Sequence, residues 1–292
     1  MKPAAFLYAA PKTVEETLAL LAEYGGDGKL LAGGQSLMPL LNMRLARPSV
    51  LIDLNRVSAL DYITSTDGEV RIGAMTRQRT AERSAVLAAR LPLMTEALRW
   101  VGHAQIRNRG TIGGSLAHAD PSAELPAVAA ALGAIFVVAG RQGTRQLGAE
   151  KFFVSYLTTA IEPTELLIEV RFPDVAEDAG CAFLEVARRH GYFALVGAGA
   201  VVHPAGGGRF RDVRLAFIGV GPAPVRVTEA EAALEGRKFD ETLLADVARL
   251  VTDRLEPESD IQASAAYRKH VAGVLARRAL TTAASRSGGQ RA

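Results

Sequence analysis

The sequence lacks the features that define several broad classes of protein. Its single cysteine, Cys181, excludes an intramolecular disulfide and any all-cysteine iron–sulfur cluster, because such a cluster needs about four thiolates. No apolar run reaches the roughly 18 to 20 residues that span a bilayer, and the apolar stretch near the N-terminus is too short for a secretory signal. We therefore expect no integral membrane segment and a cytoplasmic location.

The sequence also has little net charge. Its 34 lysine and arginine residues against 31 aspartate and glutamate residues leave a formal charge of +3, and much of the excess lies between Arg268 and Arg291. So small and local an excess does not form the basic stripe that nucleic-acid binding requires. A solvated helix face and tail account for it, and we expect no nucleic-acid partner.

The first half of the chain has the pattern of mixed helices and strands. Thr13 and Glu16 form a capping box for a helix that ends at Tyr24 before a glycine pair. The glycine-rich stretch 110–118 is expected to be irregular. The other predicted elements are strands at 29–32, 50–54, 69–73, 134–139 and 165–172, and helices from residue 76, broken near Pro92, at 93–101 and at 125–132.

The second half begins with a plausible linker at 175–180. Its strands are expected to form an antiparallel meander with a turn at 206–208, and helices are expected to follow them. The small, polar residues from Ser285 to Ala292 predict disorder. The predicted elements are strands at 182–187, 194–202 and 213–220, and helices at 229–234, 241–255 and 263–280.

Two glycine pairs are the candidates for ligand binding. Glycine lets the backbone approach a ligand closely and adopt positive φ, so that successive N–H groups can point at a phosphate, and neighbouring hydroxyls add donors. Taken alone, each pair is more often an ordinary turn, and neither matches a dinucleotide fingerprint or a P-loop. The two segments are Ala32, Gly33, Gly34, Gln35, Ser36 and Leu37, and Thr111, Ile112, Gly113, Gly114 and Ser115.

Four stretches of the sequence resemble the FAD-binding medium subunit of the carbon monoxide dehydrogenase and xanthine dehydrogenase family, the molybdenum hydroxylases. They occur in the family's order and cover nearly the whole chain. They read LLAGGQSLMPLLNMR, RNRGTIGGSLAHADPSAELPAVAAAL, EVARRHGYFALVGAGA and SAAYRKHVAGVLARRAL.

The resemblance implies an α+β fold in two domains. An FAD-binding domain of the vanillyl-alcohol-oxidase (PCMH) type would occupy residues 1–175, with α/β lobes at about 1–56 and 57–175. A C-terminal domain of antiparallel sheet and helices would follow at 176–284. Residues 285–292 would form a disordered tail.

The resemblance also implies the contacts with FAD. The two glycine segments would wrap the diphosphate and ribityl chain, and Glu124 would accept hydrogen bonds from ribityl or ribose hydroxyls, although a charge at a helix N-terminus explains it equally well. Leu167 would pack on the ring system, with plain core as the alternative. An aromatic side chain, Tyr192 or Phe193, would cover the flavin ring.

Three further positions qualify this assignment. The family usually has an acid between the glycine and the aromatic residue of its third motif, where this chain has Tyr192. Glu185 stands in a region where some relatives have a lysine, which weakens the case for direct NAD reduction. His118 and Asp120 lie beside the second segment without a third ligand at metal spacing, so no metal site is predicted.

The implied function is electron relay. Substrate would be hydroxylated at molybdopterin-bound molybdenum in a large subunit, and two [2Fe–2S] clusters in a small iron–sulfur subunit would carry electrons to FAD, which passes them to an external acceptor. The assembly would be a doubled heterotrimer, with no catalytic residue in this chain. Two alternatives stay open: a self-sufficient FAD-dependent oxidase or dehydrogenase of the same fold, and a non-redox nucleotide-binding module.

Overall fold

A three-stranded parallel sheet opens the fold. In the computed structural model, which describes residues 1–288, the strands lie in the order β1-β3-β2. Thr13 caps the first helix by accepting the N–H of Glu16 at 3.1 Å, and Glu16 accepts the N–H of Lys12 at 2.6 Å. The elements are β1 (Leu7–Ala9), α1 (Val14–Tyr24), β2 (Gly28–Leu31), α2 (Leu37–Asn42) and β3 (Val50–Asp53).

A second, antiparallel sheet follows, with helices between its outer and inner strands. Its strand order is β4-β5-β10-β6-β7, and a separate hairpin, β8-β9, lies before its central strand. The elements are β4 (Ile63–Thr66), β5 (Glu69–Gly73), α3 (Gln78–Glu82), α4 (Ala85–Arg90), α5 (Pro92–Leu98), α6 (Ala104–Arg109), α7 (Ile112–His118), α8 (Glu124–Leu132), β6 (Ile135–Gly140), β7 (Gly143–Gly148), α9 (Ala149–Phe152), β8 (Phe153–Ser155), β9 (Thr158–Thr159) and β10 (Leu166–Pro173).

The C-terminal part is a four-stranded antiparallel sheet covered by helices. Its strand order, β11-β12-β13-β14, confirms the predicted meander and its glycine turn. The elements are β11 (Gly180–Ala187), β12 (Ala194–Gly206), β13 (Arg209–Ile218), β14 (Val225–Arg226), α10 (Thr228–Leu234), α11 (Glu241–Arg254) and α12 (Ala265–Arg286).

The main core joins the two parts of the chain. Every residue of α8 is buried. Leu125 and Val128 of this helix share one hydrophobic cluster with Phe183 and Ile218 of the C-terminal sheet. The opposite face of that sheet packs on α12 in a second cluster, so the sheet is buried on both faces.

Two expectations from the sequence are wrong. Residues 110–118 are not irregular, because α7 occupies most of them, with Thr111 accepting the N–H of Gly114 at 3.0 Å as its N-cap. The tail is not disordered from Ser285, because α12 continues to Arg286, whose guanidinium donates to the Cys181 carbonyl at 2.8 Å. Residues 289–292 lie outside the described range. None of the helices within residues 1–288 is long and apolar enough to cross a membrane.

Candidate functional site

The two glycine segments meet in the folded chain. A β-carbon at Gly33 would lie 2.7 Å from the α-carbon of Gly110 and 2.9 Å from the carbonyl carbon of Arg109. One at Gly114 would lie 3.1 Å from the β-carbon of Ala32. Only glycine at position 33 permits this approach of one backbone to the other, so the segments that the sequence separates by about 80 residues form one surface.

The first segment leaves donors available. Gly34 adopts φ +73°, a conformation that glycine permits, and its carbonyl accepts the N–H of Met38 at 3.1 Å. The side-chain amide of Gln35 donates to the Gly33 carbonyl at 3.1 Å. Within residues 1–288, the backbone N–H groups of residues 34–37 have no acceptor. These half-buried groups are the ones that could bind an anion.

The second segment is different, because the N–H groups of Ile112 to Ser115 are already used. Gly113 donates to the Ala74 carbonyl and Ile112 to the Thr76 carbonyl, both at 2.9 Å, while Gly114 and Ser115 donate to Thr111. Four of its five N–H groups are therefore not free to bind a phosphate. Gly113 is required for packing instead, since a β-carbon there would lie 2.5 Å from that of Ala74.

An asparagine and an arginine hold the two segments together. Asn55, just after β3, donates its side-chain amide to the Ala32 carbonyl at 3.1 Å. Its side-chain oxygen accepts Arg77 at 2.5 Å, and Arg77 also donates to the Arg109 carbonyl. Burial, and then the neighbouring charge of Arg109, lowers the pKa of Arg77. We call these two residues the Asn55–Arg77 clamp.

The clamp was missed in the sequence. One signal in the sequence pointed to Asn55. It follows β3, which pairs in parallel with β2, and β2 ends at the first glycine segment. Because the carboxyl ends of parallel strands lie side by side, Asn55 is expected near that segment. No pattern in the sequence identified Arg77. A further contact supports Asn55: its N–H donates to the Asp53 carboxylate at 2.9 Å, which also accepts the Tyr8 hydroxyl at 2.6 Å.

Two carboxyl groups are buried beyond the glycine segments. Glu124, which begins α8, is 6% exposed, and burial raises its pKa to about 7, with Asp120 raising it further and Arg107 opposing. Glu185 of β11 is 8% exposed, and burial followed by the charge of Glu124 raises its pKa to about 8. Neither Glu185 oxygen has a hydrogen-bond partner within residues 1–288.

The remaining predicted contacts differ in exposure. Leu167 of β10 is buried in the main core. Tyr192 and Phe193 are 51% and 66% exposed, on the loop after β11. The guanidinium of Arg189 lies 5.8 Å from the centre of the Tyr192 ring. Thus both rings are accessible for a contact with a ligand or with another protein.

Two family models match the chain in succession. The FAD binding domain in molybdopterin dehydrogenase matches residues 4–175. The CO dehydrogenase flavoprotein C-terminal domain matches residues 181–283. Together they span almost all of the described residues.

Named relatives are similar over their whole length. The 6-hydroxypseudooxynicotine dehydrogenase complex subunit alpha of Paenarthrobacter nicotinovorans is 41% identical, over 98% of this chain and 97% of that protein. The caffeine dehydrogenase subunit beta of a Pseudomonas species is 40% identical, over 98% and 97%. The structure of a carbon monoxide dehydrogenase from Hydrogenophaga pseudoflava superposes with a TM-score of 0.96 at 39% identity, over 99% of this chain and 100% of that one.

Proposed function

This chain belongs to the family of FAD-binding medium subunits of molybdenum hydroxylases, and from that premise we propose how its own residues serve electron transfer. It is an oxidoreductase subunit and an FAD flavoprotein. It takes electrons that have left the substrate elsewhere in the complex and passes them to an external acceptor. When bound, FAD supplies one- and two-electron redox chemistry, and the protein supplies binding, orientation and shielding.

The surface formed by the two glycine segments is the proposed diphosphate site. The observation that carries the proposal is their close approach at Gly33, together with the N–H groups of residues 34–37 that lack an acceptor. Amide groups that converge on a concave surface bind phosphate oxygens without lysine. The hydroxyls of Ser36, Thr111 and Ser115 are the proposed additional donors, and the Asn55–Arg77 clamp sets the distance between the segments.

The flavin end of the cofactor is assigned to residues nearer the C-terminal sheet. Glu124 is the proposed acceptor for a ribityl hydroxyl, and Leu167 the proposed apolar floor. One of the exposed rings, Tyr192 or Phe193, is proposed to cover the flavin ring and limit access of oxygen. The exposure of both rings supports this, because large aromatic side chains in contact with water favour a partner surface.

The partners are proposed from the family. A small subunit with two [2Fe–2S] clusters would deliver electrons, and a large subunit with molybdopterin-bound molybdenum would oxidise the substrate, in a doubled heterotrimer. Names such as subunit alpha and subunit beta among the relatives support a multi-subunit assembly. We also propose two domains, at residues 1–175 and 176–284. The first would divide into lobes at about 1–56 and 57–175. The cytoplasmic location stays a prediction.

The test separates the chain from its complex. The chain purified alone should bind about one FAD and show no oxidation of alcohols, amines or aldehydes. Co-purified with its genomic neighbours, the complex should also contain molybdenum and iron–sulfur absorbance, and substrate should reduce the flavin only when all subunits are present. Oxidase activity of the isolated chain would support the self-sufficient alternative, and absence of flavin in both preparations would refute the proposed function.

A further inference from the structure

The loop that joins β11 to β12, residues 188–193, carries the two exposed rings of the proposed flavin end. Its turn is closed by the N–H of Tyr192, which donates to the Arg189 carbonyl at 3.1 Å. Gly191 adopts φ +79° within this turn, a conformation that residues with a side chain rarely adopt. Tyr192 and Phe193 follow directly, so their position depends on where the turn lies. We call residues 188–193 the aromatic loop.

The aromatic loop contacts the turn that precedes α6. The ring centroid of His190 lies 5.6 Å from that of Trp100 and 6.4 Å from that of His103, both within the range of aromatic pairs. A β-carbon at Gly191 would lie 2.6 Å from Cε1 of His103 and 3.1 Å from the Gly102 carbonyl oxygen, so a side chain there would displace His103 or the loop. We call Trp100, Gly102 and His103 the loop support.

Other attachments of the aromatic loop are weaker. Five of the six residues 188–193 are exposed, and Gly191 is the half-buried one. The Arg188 guanidinium donates to the Gln262 carbonyl at 3.4 Å, which is long for such a bond. The guanidinium of Arg189 lies near the Tyr192 ring, a contact within the loop itself. Within residues 1–288, the loop support is therefore the contact that most constrains the exposed part of the loop.

The loop support is fixed to the main core and to α3. Trp100 packs against the main core. The buried Arg107 donates to the carbonyls of Val101 and Gly102 at 3.0 and 3.2 Å, and to the Glu82 carboxylate of α3 at 3.0 Å. A guanidinium that binds several acceptors in fixed directions holds them in one geometry. The support therefore offers a fixed surface to the exposed loop.

Helix α6 connects the loop support to the proposed diphosphate site. The helix begins after His103, its N-cap, and ends at Arg109. At that end a β-carbon on Gly33 would lie 2.7 Å from the α-carbon of Gly110, so the first glycine segment lies against the end of the helix. Six residues with a rise of about 1.5 Å each make α6 about 9 Å long. Contacts at both ends therefore place the aromatic loop at a short, fixed distance from the glycine segments.

We propose that Trp100, His103 and His190 are positioning residues that hold the aromatic loop over the bound flavin and so limit the reaction of the reduced cofactor with oxygen. The inference rests on the proposed function. With the His190 ring on the support, Tyr192 and Phe193 stay over the flavin; without that ring, the loop leaves more often. Oxygen takes two electrons and two protons from the reduced flavin and becomes hydrogen peroxide, so the rate of this step measures access to the flavin. Loss of one aromatic contact raises the population of the displaced loop by about 2- to 10-fold.

The first test needs no cofactor. Trp100 is the only tryptophan of the chain, so acrylamide quenching of its fluorescence reports on the support. We expect stronger quenching in His190→Ala, because the loop leaves the support more often, and parental quenching in His190→Phe, which keeps a ring. His270→Ala, at an exposed position of α12, is the matched control. Unchanged quenching in His190→Ala, or equal quenching in the alanine and phenylalanine variants, would overturn the role of the ring contact.

The second test measures oxygen access in the complete complex, with its FAD content confirmed by absorbance. Stopped-flow absorbance follows anaerobic reduction of the flavin by substrate and then its reoxidation by oxygen. We expect His190→Ala to accelerate reoxidation by about 2- to 10-fold and to leave reduction unchanged, whereas His190→Phe and His270→Ala match the parent. A change in reduction, or equal reoxidation, would overturn the positioning role. A parent complex without FAD would refute the proposed function, while Trp100 quenching would still report on the support.

Discussion

Replacing Gly33 with alanine tests whether close approach of the two glycine segments creates the cofactor site. The added β-carbon would lie 2.7 Å from the α-carbon of Gly110, whereas carbon atoms normally pack about 3.5 to 4.0 Å apart. The segments must therefore separate by about 1 Å. The obstacle is backbone on both sides, so no side-chain rotation can relieve it.

The cost of Gly33→Ala has two parts. Overpacking of this kind lowers the free energy of unfolding by about 1 to 3 kcal/mol. A hydrogen bond from an N–H group to a charged phosphate contributes about 1.5 to 3 kcal/mol, so misplacing one such donor weakens FAD binding by about 10- to 100-fold. We expect the affinity for FAD to fall by this factor while the fold persists.

The assay is titration of the flavin-free chain with FAD by calorimetry, with thermal unfolding measured on the same samples. Gly26→Ala is the matched control, because a β-carbon there has nothing within 4 Å and its φ is not positive. It should bind FAD like the parent. If Gly33→Ala bound FAD as tightly as the control, the close approach would not form the site, and our assignment of the diphosphate would be refuted.

Three further predictions follow from the buried charges. Arg77→Lys should weaken FAD binding by about 3- to 30-fold with little change in stability, because one ammonium cannot span Asn55 and the Arg109 carbonyl as a guanidinium does; equal affinity in calorimetry would refute the clamp. Burial raises the pKa of Glu185 from 4.5 to about 8, so the native state of the parent loses stability as pH rises through that range. In denaturant unfolding, the free energy of unfolding of Glu185→Gln should therefore rise relative to that of the parent between pH 5 and pH 8, by at most about 1.4 kcal/mol per pH unit. A difference between the two proteins that does not change with pH would contradict the burial argument. Arg107→Ala should lower the free energy of unfolding by about 1.5 to 3 kcal/mol, because it removes the charged hydrogen bonds from Arg107 to Glu82 while Arg79 still pairs with that carboxylate. A loss below about 1 kcal/mol in denaturant unfolding would show that the ion pair is dispensable.

Local chemistry was sufficient for the elements whose signals lie within a few residues. The Thr13 cap and the following glycine pair bound α1, and the alternation and glycine turn of the C-terminal meander predicted β11 to β13 within a few residues at each end. The resemblance then supplied the family, which the relatives confirm. The site residues drawn from it remain predictions for FAD titration to test.

Tertiary contacts decided what the local pattern could not. Two adjacent glycines disfavour a helix, yet α7 forms because Thr111 caps it and Gly113 packs against Ala74, a contact that only the folded chain makes. The contacts of this helix consume the N–H groups of Ile112 to Ser115, which the sequence had offered to a phosphate, while those of residues 34–37 have no acceptor within residues 1–288. A donor's availability depends on which carbonyl reaches it, and that carbonyl belongs to a distant part of the chain.

The sequence by itself determined the family, the two glycine segments and most of the strands and helices, because each depends on short-range patterns. Only the tertiary structure decided that Gly33 touches Gly110, that Arg77 clamps the segments, and that the Glu185 carboxyl group is buried without a hydrogen-bond partner within residues 1–288. Those arrangements join residues tens of positions apart. Burial and Coulomb interaction depend on distance in space, which a residue's place in the sequence does not specify.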